Sequence, residues 1–360
     1  MIPGTNTGAV SASAGAYQVY AGVAAEDCAK AIELWRDCGF GSSSAERDVA
    51  RYRWFYQVNP QGEGQINFMR QDASGPPLGF LGVGCRRWLL RGESVFAGVL
   101  VDFVVHPQHR SASPALQLQR QGRERATATM TFLYGLPHTK AIPIFKRLGA
   151  QYELALVRYA RVLRAAVYLR RLMPQWLARP LAAASDVLDV ASMKLRLVFS
   201  RNRGAWHDGF DARFDELWQQ VDKSSRSIGV RSREFLQWRF GAQPGHQYRT
   251  FVIRHRDRDA LHTYFVCELI GDQLIVKDFL SIGTRADVRD GLLLLCLQSI
   301  KLGAAIVSIQ ACGDAVLAAA LRSVQFIERD RRWLYASVPE AARGSFEGLA
   351  WYLTQADEDI

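Results

Sequence analysis

Leu100–Gln121 reads LVDFVVHPQHRSASPALQLQRQ, an apolar, β-branched run that breaks at Pro107 and resumes with helical spacing near Pro114. A strand that feeds a tight loop and then a helix start aims several backbone N–H groups, and the positive end of the helix dipole, at one point. A pyrophosphate fits such a point. Arg110 adds charge there, and Ser111, Ala112, Ser113 and Ala115 are small enough to let the backbone approach a phosphate closely. Pro114 is expected as the first helical residue, a position that needs no amide donor.

On either side the pattern is mixed α/β. Strands are expected at 17–23, 65–70, 78–90 and 94–106, with helices at 26–37 and 45–57 before or between them. A helix over 114–125, a strand over 130–135, a short helix over 139–148 and a terminal strand pair ending near Leu163 follow. From Phe214 the order repeats: helices at 214–221 and 232–238, strands at 248–255, 261–270 and 273–282, a helix at 286–302, a strand at 305–310, a helix at 314–321 and a strand at 332–337. A chain of 360 residues exceeds one ordinary domain of roughly 100–200 residues, and an internal duplication is the economical reading. The boundaries expected are 1–163, 164–204 and 205–360.

Hydrophobic residues make up 49% of the chain and charged residues 22%, enough to bury cores and too apolar for a disordered chain. Lys and Arg number 45 against 35 Asp and Glu, a net charge of +10, which favours an anionic partner without choosing one. Residues 161–203 hold nine of these bases against Asp186 and Asp189, seven of the ten net charges. There Leu169, Leu172, Met173, Trp176, Leu177 and Leu181 fall on helical spacings broken by Pro174 and Pro180. The stretch reads either as a connector packed on both halves or as an amphipathic interfacial segment. The six cysteines form no C-x-x-C pair, which excludes a zinc ribbon and fits a reducing compartment. No stretch approaches a membrane span, and the N-terminus shows no basic region followed by an apolar one. A cytoplasmic protein is expected, and the interfacial reading of residues 161–203 adds peripheral contact at the inner membrane surface.

The decisive stretch resembles motif A of the GNAT (N-acetyltransferase) superfamily, V-x-P-x-x-[RQ]-x-x-G-x-[GA], matched by Val105, Pro107, Arg110 and Ala115, with Ser113 in place of a glycine. A second element, YGLPHTKAIPIFKRLGA (Tyr134–Ala150), is similar to the family segment G-x-P-N-x-x-A-x-x-x-Y-x-x-L-G-F. Here His138 stands where the family has a coenzyme A-contacting asparagine, and Phe145 where it has a tyrosine often used as general acid. The resemblance implies two GNAT-like domains in tandem, with mixed sheets. It implies acetyl-CoA or another acyl-CoA bound in the first half, the pantetheine pairing with Phe103, Val104 and Val105, the pyrophosphate held by Arg110, Ser111, Ala112, Ser113 and Ala115, and His138 beside it. It also implies a base, for which Asp102 occupies the matching strand position.

The second half reads LIVKDFLSIGTRADVRDGLL (Leu274–Leu293) at the corresponding place. Asp287 and Asp290 near that helix start repel a pyrophosphate, so this half is expected to be a degenerate copy, with Asp278 analogous to Asp102 by position only. Its REFLQWRF segment (Arg233–Phe240) and the ending WYLTQADEDI (Trp351–Ile360) resemble segments of tandem GNAT proteins in bacterial polysaccharide and surface-polymer gene sets. Together these features imply an acyl-CoA-dependent N-acyltransferase acting on a small amine or amino sugar. The rivals are a Fem-like transferase fed by aminoacyl-tRNA and a non-catalytic GNAT-like binding protein; no other nucleic-acid role is expected. No metal is expected either, because His106 and His109 lack a third ligand at a fitting spacing. GFLGVGC (Gly79–Cys85) lies inside a strand pattern and reads as a closely packed or bulged strand. Tyr52, Trp54, Phe55 and Tyr56 read as core and pocket wall.

Overall fold

The computed structural model describes residues 17–166, 169 and 173–358. The first half comprises β1 (Gln18–Gly22), α1 (Cys28–Asp37), α2 (Ala45–Tyr52), β2 (Gln65–Arg70), β3 (Gly79–Leu90), β4 (Glu93–Val105), α3 (Ala112–Thr127), β5 (Phe132–Gly135), α4 (Ile142–Arg147) and β6 (Tyr152–Val162). After α5 (Gln175–Arg196) come β7 (Asn202–His207), α6 (Ala212–Gln220), β8 (Arg226–Gly229) and α7 (Arg233–Leu236). Then follow β9 (Tyr248–His255), β10 (Leu261–Ile270), β11 (Gln273–Ser281), α8 (Arg285–Lys301), β12 (Ile306–Cys312), α9 (Ala315–Ser323), β13 (Ile327–Ser337) and β14 (Ala350–Thr354). Several points depart from the expected pattern. The helix after the loop begins at Ala112 rather than Pro114. Pro180 lies inside α5 rather than ending a helix, because near a helix start it removes a single amide bond, to the water-accessible end of the helix.

All the described strands join one mixed sheet, whose main path runs β1-β2-β3-β4-β5-β13-β6-β12-β11-β10-β9-β7. The order shows an exchange. β6 pairs with β12 of the second half, from Ile306↔Val162 to Ala311↔Val157, while β13 crosses over to lie between β5 and β6. The strand pair expected near Leu163 is therefore a single strand whose antiparallel partner arrives from the second half. Alternating side chains and unpaired backbone groups specify that a strand needs a neighbour, not which part of the chain supplies it.

The duplication has a near-symmetric seam. Each half has one turn of π-helix after a short helix, Arg53–Gln57 after α2 and Gln237–Gly241 after α7. Trp54 and Trp238 stack across the seam with centroids 4.7 Å apart and planes 13° from parallel. Each indole Nε1 donates to the other residue's carbonyl, at 2.8 and 2.9 Å, so neither buried N–H is left unpaired. Trp88, Phe132, Phe346 and Trp351 continue the same core between the halves.

Candidate active site

The site starts from a defect in pairing. β4 runs parallel to β5 only from Ala97↔Phe132 to Val99↔Tyr134. Beyond that point β3 pairs Gly82 with Val101 and Phe80 with Val104, so Asp102 and Phe103 together oppose Leu81 and form a β-bulge. A bulge bends its strand and sharpens the local twist, and here β4 leaves β5. The divergence opens a cavity of about 740 Å³. Its lining is drawn from the end of β4 (Phe103–Val105), the loop and start of α3 (Arg110, Ser111, Ala115), the segment after β5 (His138, Lys140, Ala141, Ile144) and the end of α1 (Cys38–Phe40).

Seven of the side chains expected to hold the cofactor thus come together. Ser113 is exposed at the helix start and is not part of the lining; for Ala112 only the backbone is described. The amides of Ala112 and Ser113 have no intrahelical acceptor, as at any helix start, and Pro114 contributes none. Arg110 turns back on the loop: its Nε donates to the Val105 carbonyl at 2.8 Å and Nη2 to the Cys38 carbonyl at 3.1 Å. It therefore ties the end of β4 to the α1 loop from within the cavity lining. Burial pushes the Cys38 thiol pKa up against the pull of Arg110, so the cavity holds a neutral thiol. The His138 Nδ1 accepts from the Lys140 amide at 3.4 Å.

Asp102 does not line the cavity. It is 6% exposed, with φ of +50°, a conformation that costs an ordinary residue roughly 1–2 kcal/mol. Arg51 Nη1 and Nη2 donate to its two oxygens at 3.1 and 2.6 Å, and Tyr56 Oη donates at 2.6 Å. Burial and the Asp102 charge push the Tyr56 phenol well above its ordinary pKa, which keeps the donor protonated. Gly82 makes room for this phenol, since a Cβ there would lie 1.8 Å from Tyr56 Oη. The close packing expected of GFLGVGC has that physical content. Tyr52, Trp54, Phe55 and Tyr56 are all buried, and none of them lines the cavity.

The second half repeats the divergence and fills it. β11 pairs in parallel with β12 only as far as Val276↔Ile309, after which β14 takes the vacated side, with Ala311↔Thr354 and Cys312↔Leu353. Thr354 Oγ1 donates to Asp278 Oδ1 at 2.6 Å, and Tyr352 Oη bonds the Phe279 carbonyl. Asp278 also accepts from Arg231 Nε at 3.1 Å and Tyr264 Oη at 2.7 Å. It is thus clamped as Asp102 is, by one arginine and one tyrosine. Gly313, with φ of +80°, lets β14 pass: a Cβ there would lie 1.4 Å from the Trp351 carbonyl oxygen. The start of α8 is occupied as well. Thr284 and Asp287 form a capping box, and Asn202 Nδ2 donates to Asp287 at 3.1 Å, so a side-chain carboxylate already sits where an anion would bind.

Some side chains of the site were not legible from their own segments. Phe40, 47% exposed, follows Gly39 in left-handed conformation at the end of α1, and an exposed aromatic just past a helix-ending glycine is the signal that could have marked it. His255, His262 and Asp287 bring potential metal-ligand atoms within 4.8 Å of one another, a cluster drawn from three separated segments. Both His262 nitrogens already bond Thr263 and Asn202, at 3.0 and 3.1 Å, and Asp287 is engaged by its cap.

No protein-family model and no curated protein sequence matches the chain. Solved structures do. A GCN5-related N-acetyltransferase from Anabaena variabilis ATCC 29413 superposes with a TM-score of 0.60 at 12% identity, over 89% of this chain and 72% of that one. A tandem GNAT protein from the clavulanic acid biosynthesis pathway matches at 0.53 and 14% identity, over 89% and 98%. Saccharomyces cerevisiae N-myristoyltransferase with bound myristoyl-CoA matches at 0.51 and 10% identity, over 89% and 78%. With the paired divergent strands, the paired π-turns and the loop after β4, these likenesses establish that the chain has the tandem GNAT fold.

Proposed function

We propose that the protein is an acyl-CoA-dependent N-acyltransferase whose first half binds the donor. The observation that carries this reading is the asymmetry between two equivalent clefts: the one between β4 and β5 is open and bordered by Arg110 and a helix start, while the one between β11 and β12 is filled by β14. In the open cleft the β4 edge beyond Val99 faces no strand, so the amides of a pantetheine arm can pair with Phe103–Val105 as an added strand does. The pyrophosphate lies at Arg110–Ala115, where amide dipoles and the guanidinium favour charge. A main-chain N–H at the bulge polarises the thioester carbonyl. A neutral amine attacks that carbon; the C–N bond forms, the C–S bond breaks, and the proton shed by the acylated nitrogen passes to the departing sulfur, so that coenzyme A leaves as the thiol. The acceptor in this reading is a small amine or amino sugar.

Asp102, expected as the base, has both oxygens engaged by Arg51 and Tyr56. In this proposal it is a positioning residue that holds the bulge, and hence the cleft, open. The test is calorimetric titration of the full chain with acetyl-CoA and longer acyl-CoAs. One site per chain is expected, and Arg110→Glu should weaken it about tenfold to a hundredfold, the ~1.5–3 kcal/mol of hydrogen bonds to a charged group. Absence of any acyl-CoA binding overturns the reading; copurifying tRNA would then favour the aminoacyl-tRNA rival.

We also propose a peripheral contact with anionic membrane through α5. Trp176, Leu177, Leu181, Val187, Leu188 and Leu195 are all exposed and fall within about 140° of the helix surface, while Ala178, Ala182 and Met193 on another face are buried. The basic character is thinner than the residue count implies, because Arg161 is buried against Asp189 at 2.6 Å. Arg179, Lys194 and Arg196 remain exposed; Arg170 and Arg171 lie outside the described residues. Among those residues no helix is long and apolar enough to cross a membrane.

A further inference from the structure

A second cavity, of about 560 Å³, lies at the opposite end of α3, where α3 and α4 terminate beside the end of β13. Arg120, Arg123, Arg147 and Arg343 line it, with Glu124 as the one acidic side chain in the lining. Among the described residues none of the four arginines is ion-paired. The carbonyl ends of the two helices carry only about half a charge each, too little to balance them.

Arg123 is the informative residue. It is 6% exposed, its Nη2 donates to Ser337 Oγ, and its buried Nη1 has no hydrogen-bond partner. The guanidinium lies 5.5 Å from the centre of the Phe145 ring, and burial pulls its pKa down to about 10. Other deeply buried arginines are treated differently by this fold. Arg86, Arg161 and Arg231 each pair with a carboxylate, and Arg239 donates to four oxygens. A buried guanidinium held by one hydroxyl is costly unless a counter-charge joins it, and here the side chain stands in the lining of a pocket to which Arg120, Arg147 and Arg343 also contribute.

We propose that this pocket binds a phosphate group, either as free phosphate or as the terminal group of a small phosphomonoester. A tetrahedral dianion offers acceptors in several directions at once and suits several guanidinium forks better than a single carboxylate does. The site is separate from the acyl-CoA cleft. The two cavities share no lining residue, and Ala115 and Arg123 are about 12 Å apart along α3 at 1.5 Å per residue. Because Ser337 and Arg343 come from the second half, the phosphate bridges the two halves.

The experiment is calorimetry on the full chain with inorganic phosphate and, separately, glycerol 3-phosphate, at constant ionic strength set with chloride. Saturable binding to one site is expected, and the stronger of the two ligands identifies the source. The Arg120→Ala/Arg147→Ala double variant alters two exposed side chains that have no internal hydrogen bond to lose; it should weaken binding roughly tenfold or more while acetyl-CoA affinity stays unchanged. Arg123→Met should abolish phosphate binding, and the double variant keeps the test decisive if that chain fails to fold. No saturation at millimolar phosphate overturns the proposal. So does equal binding by the double variant, or binding lost in Arg110→Glu, which would place the phosphate in the acyl-CoA cleft.

Discussion

Asp357, seven residues past the start of β14, anchors the segment that fills the second cleft. It is 2% exposed and accepts from Arg86 Nη2 at 3.0 Å, Arg231 Nη2 at 2.5 Å and the Thr354 amide at 3.1 Å. Asp357→Ala leaves Arg86, 3% exposed, with only Gln61 Oε1 and the Val230 carbonyl, whereas Arg231 retains Asp278. Removing one partner of a buried ion pair costs about 3–5 kcal/mol. At ~2–4 °C per kcal/mol for a cooperative unit of this scale, Tm should fall by about 6–20 °C. The comparison is Asp330→Ala, whose pair with Arg158 is 53% and 35% exposed and should cost under ~1 kcal/mol. The pH dependence has a definite sign. Burial raises the Asp357 pKa, but the fields of Arg231 and Arg86 outweigh it and the net shift is downward. A depressed folded pKa stabilises above the unfolded value of ~3.9 and loses that stabilisation as pH falls through the folded value. Thermal unfolding monitored by circular dichroism should therefore show a parent–variant gap that is constant from neutral pH to about pH 5 and closes in stronger acid. A gap no larger than that of Asp330→Ala would refute the reasoning.

Asp102→Asn should lower Tm and acyl-CoA affinity together, by about 1–3 kcal/mol of lost charge-assisted bonding to Arg51; turnover lost alone, with both other readouts intact, would restore the base expected from strand position. Gly313→Ala combines a left-handed backbone with a Cβ driven into the Trp351 carbonyl, and should cost about 2–4 kcal/mol, read as a lowered denaturant midpoint at unchanged slope, while shifting the Trp351 near-UV signal; an unchanged midpoint would mean that β14 is not wedged there. For α5, co-sedimentation with anionic vesicles should be lost in Trp176→Ser, and should fall in the parent as salt shortens the Debye length below ~10 Å. Sedimentation unaffected by that substitution would remove the membrane contact.

Local order was legible wherever the physics is local. Unbroken apolar runs placed β3, β4 and β10 within a few residues, and alternation placed β11, since a strand writes the burial of its faces directly into the chain. The loop after β4 was recognisable because Pro107, Arg110 and a row of small residues must be consecutive to bring backbone amides to one point. The second half's poverty as an anion site was legible for the same reason: Asp287 stands inside the turn where it acts, and its capping box with Thr284 is a three-residue affair.

What the sequence did not reveal depends on partners far away along the chain. Arg51 and Tyr56 clamp Asp102 from about fifty residues before it, and no spacing rule connects them. The exchange of β6 and β13 turns on which strand edges are free once both halves have begun to pair. The filling of the second cleft by residues 350–358 depends on a glycine nearly forty residues earlier and on buried arginines from both halves. Sequence by itself determined the elements and the one loop with the makings of a phosphate cradle, because those rest on neighbouring residues. Only the tertiary structure decided which of two equivalent clefts stays open, because that rests on strand pairing and burial between segments whose contacts exist only after the chain has folded.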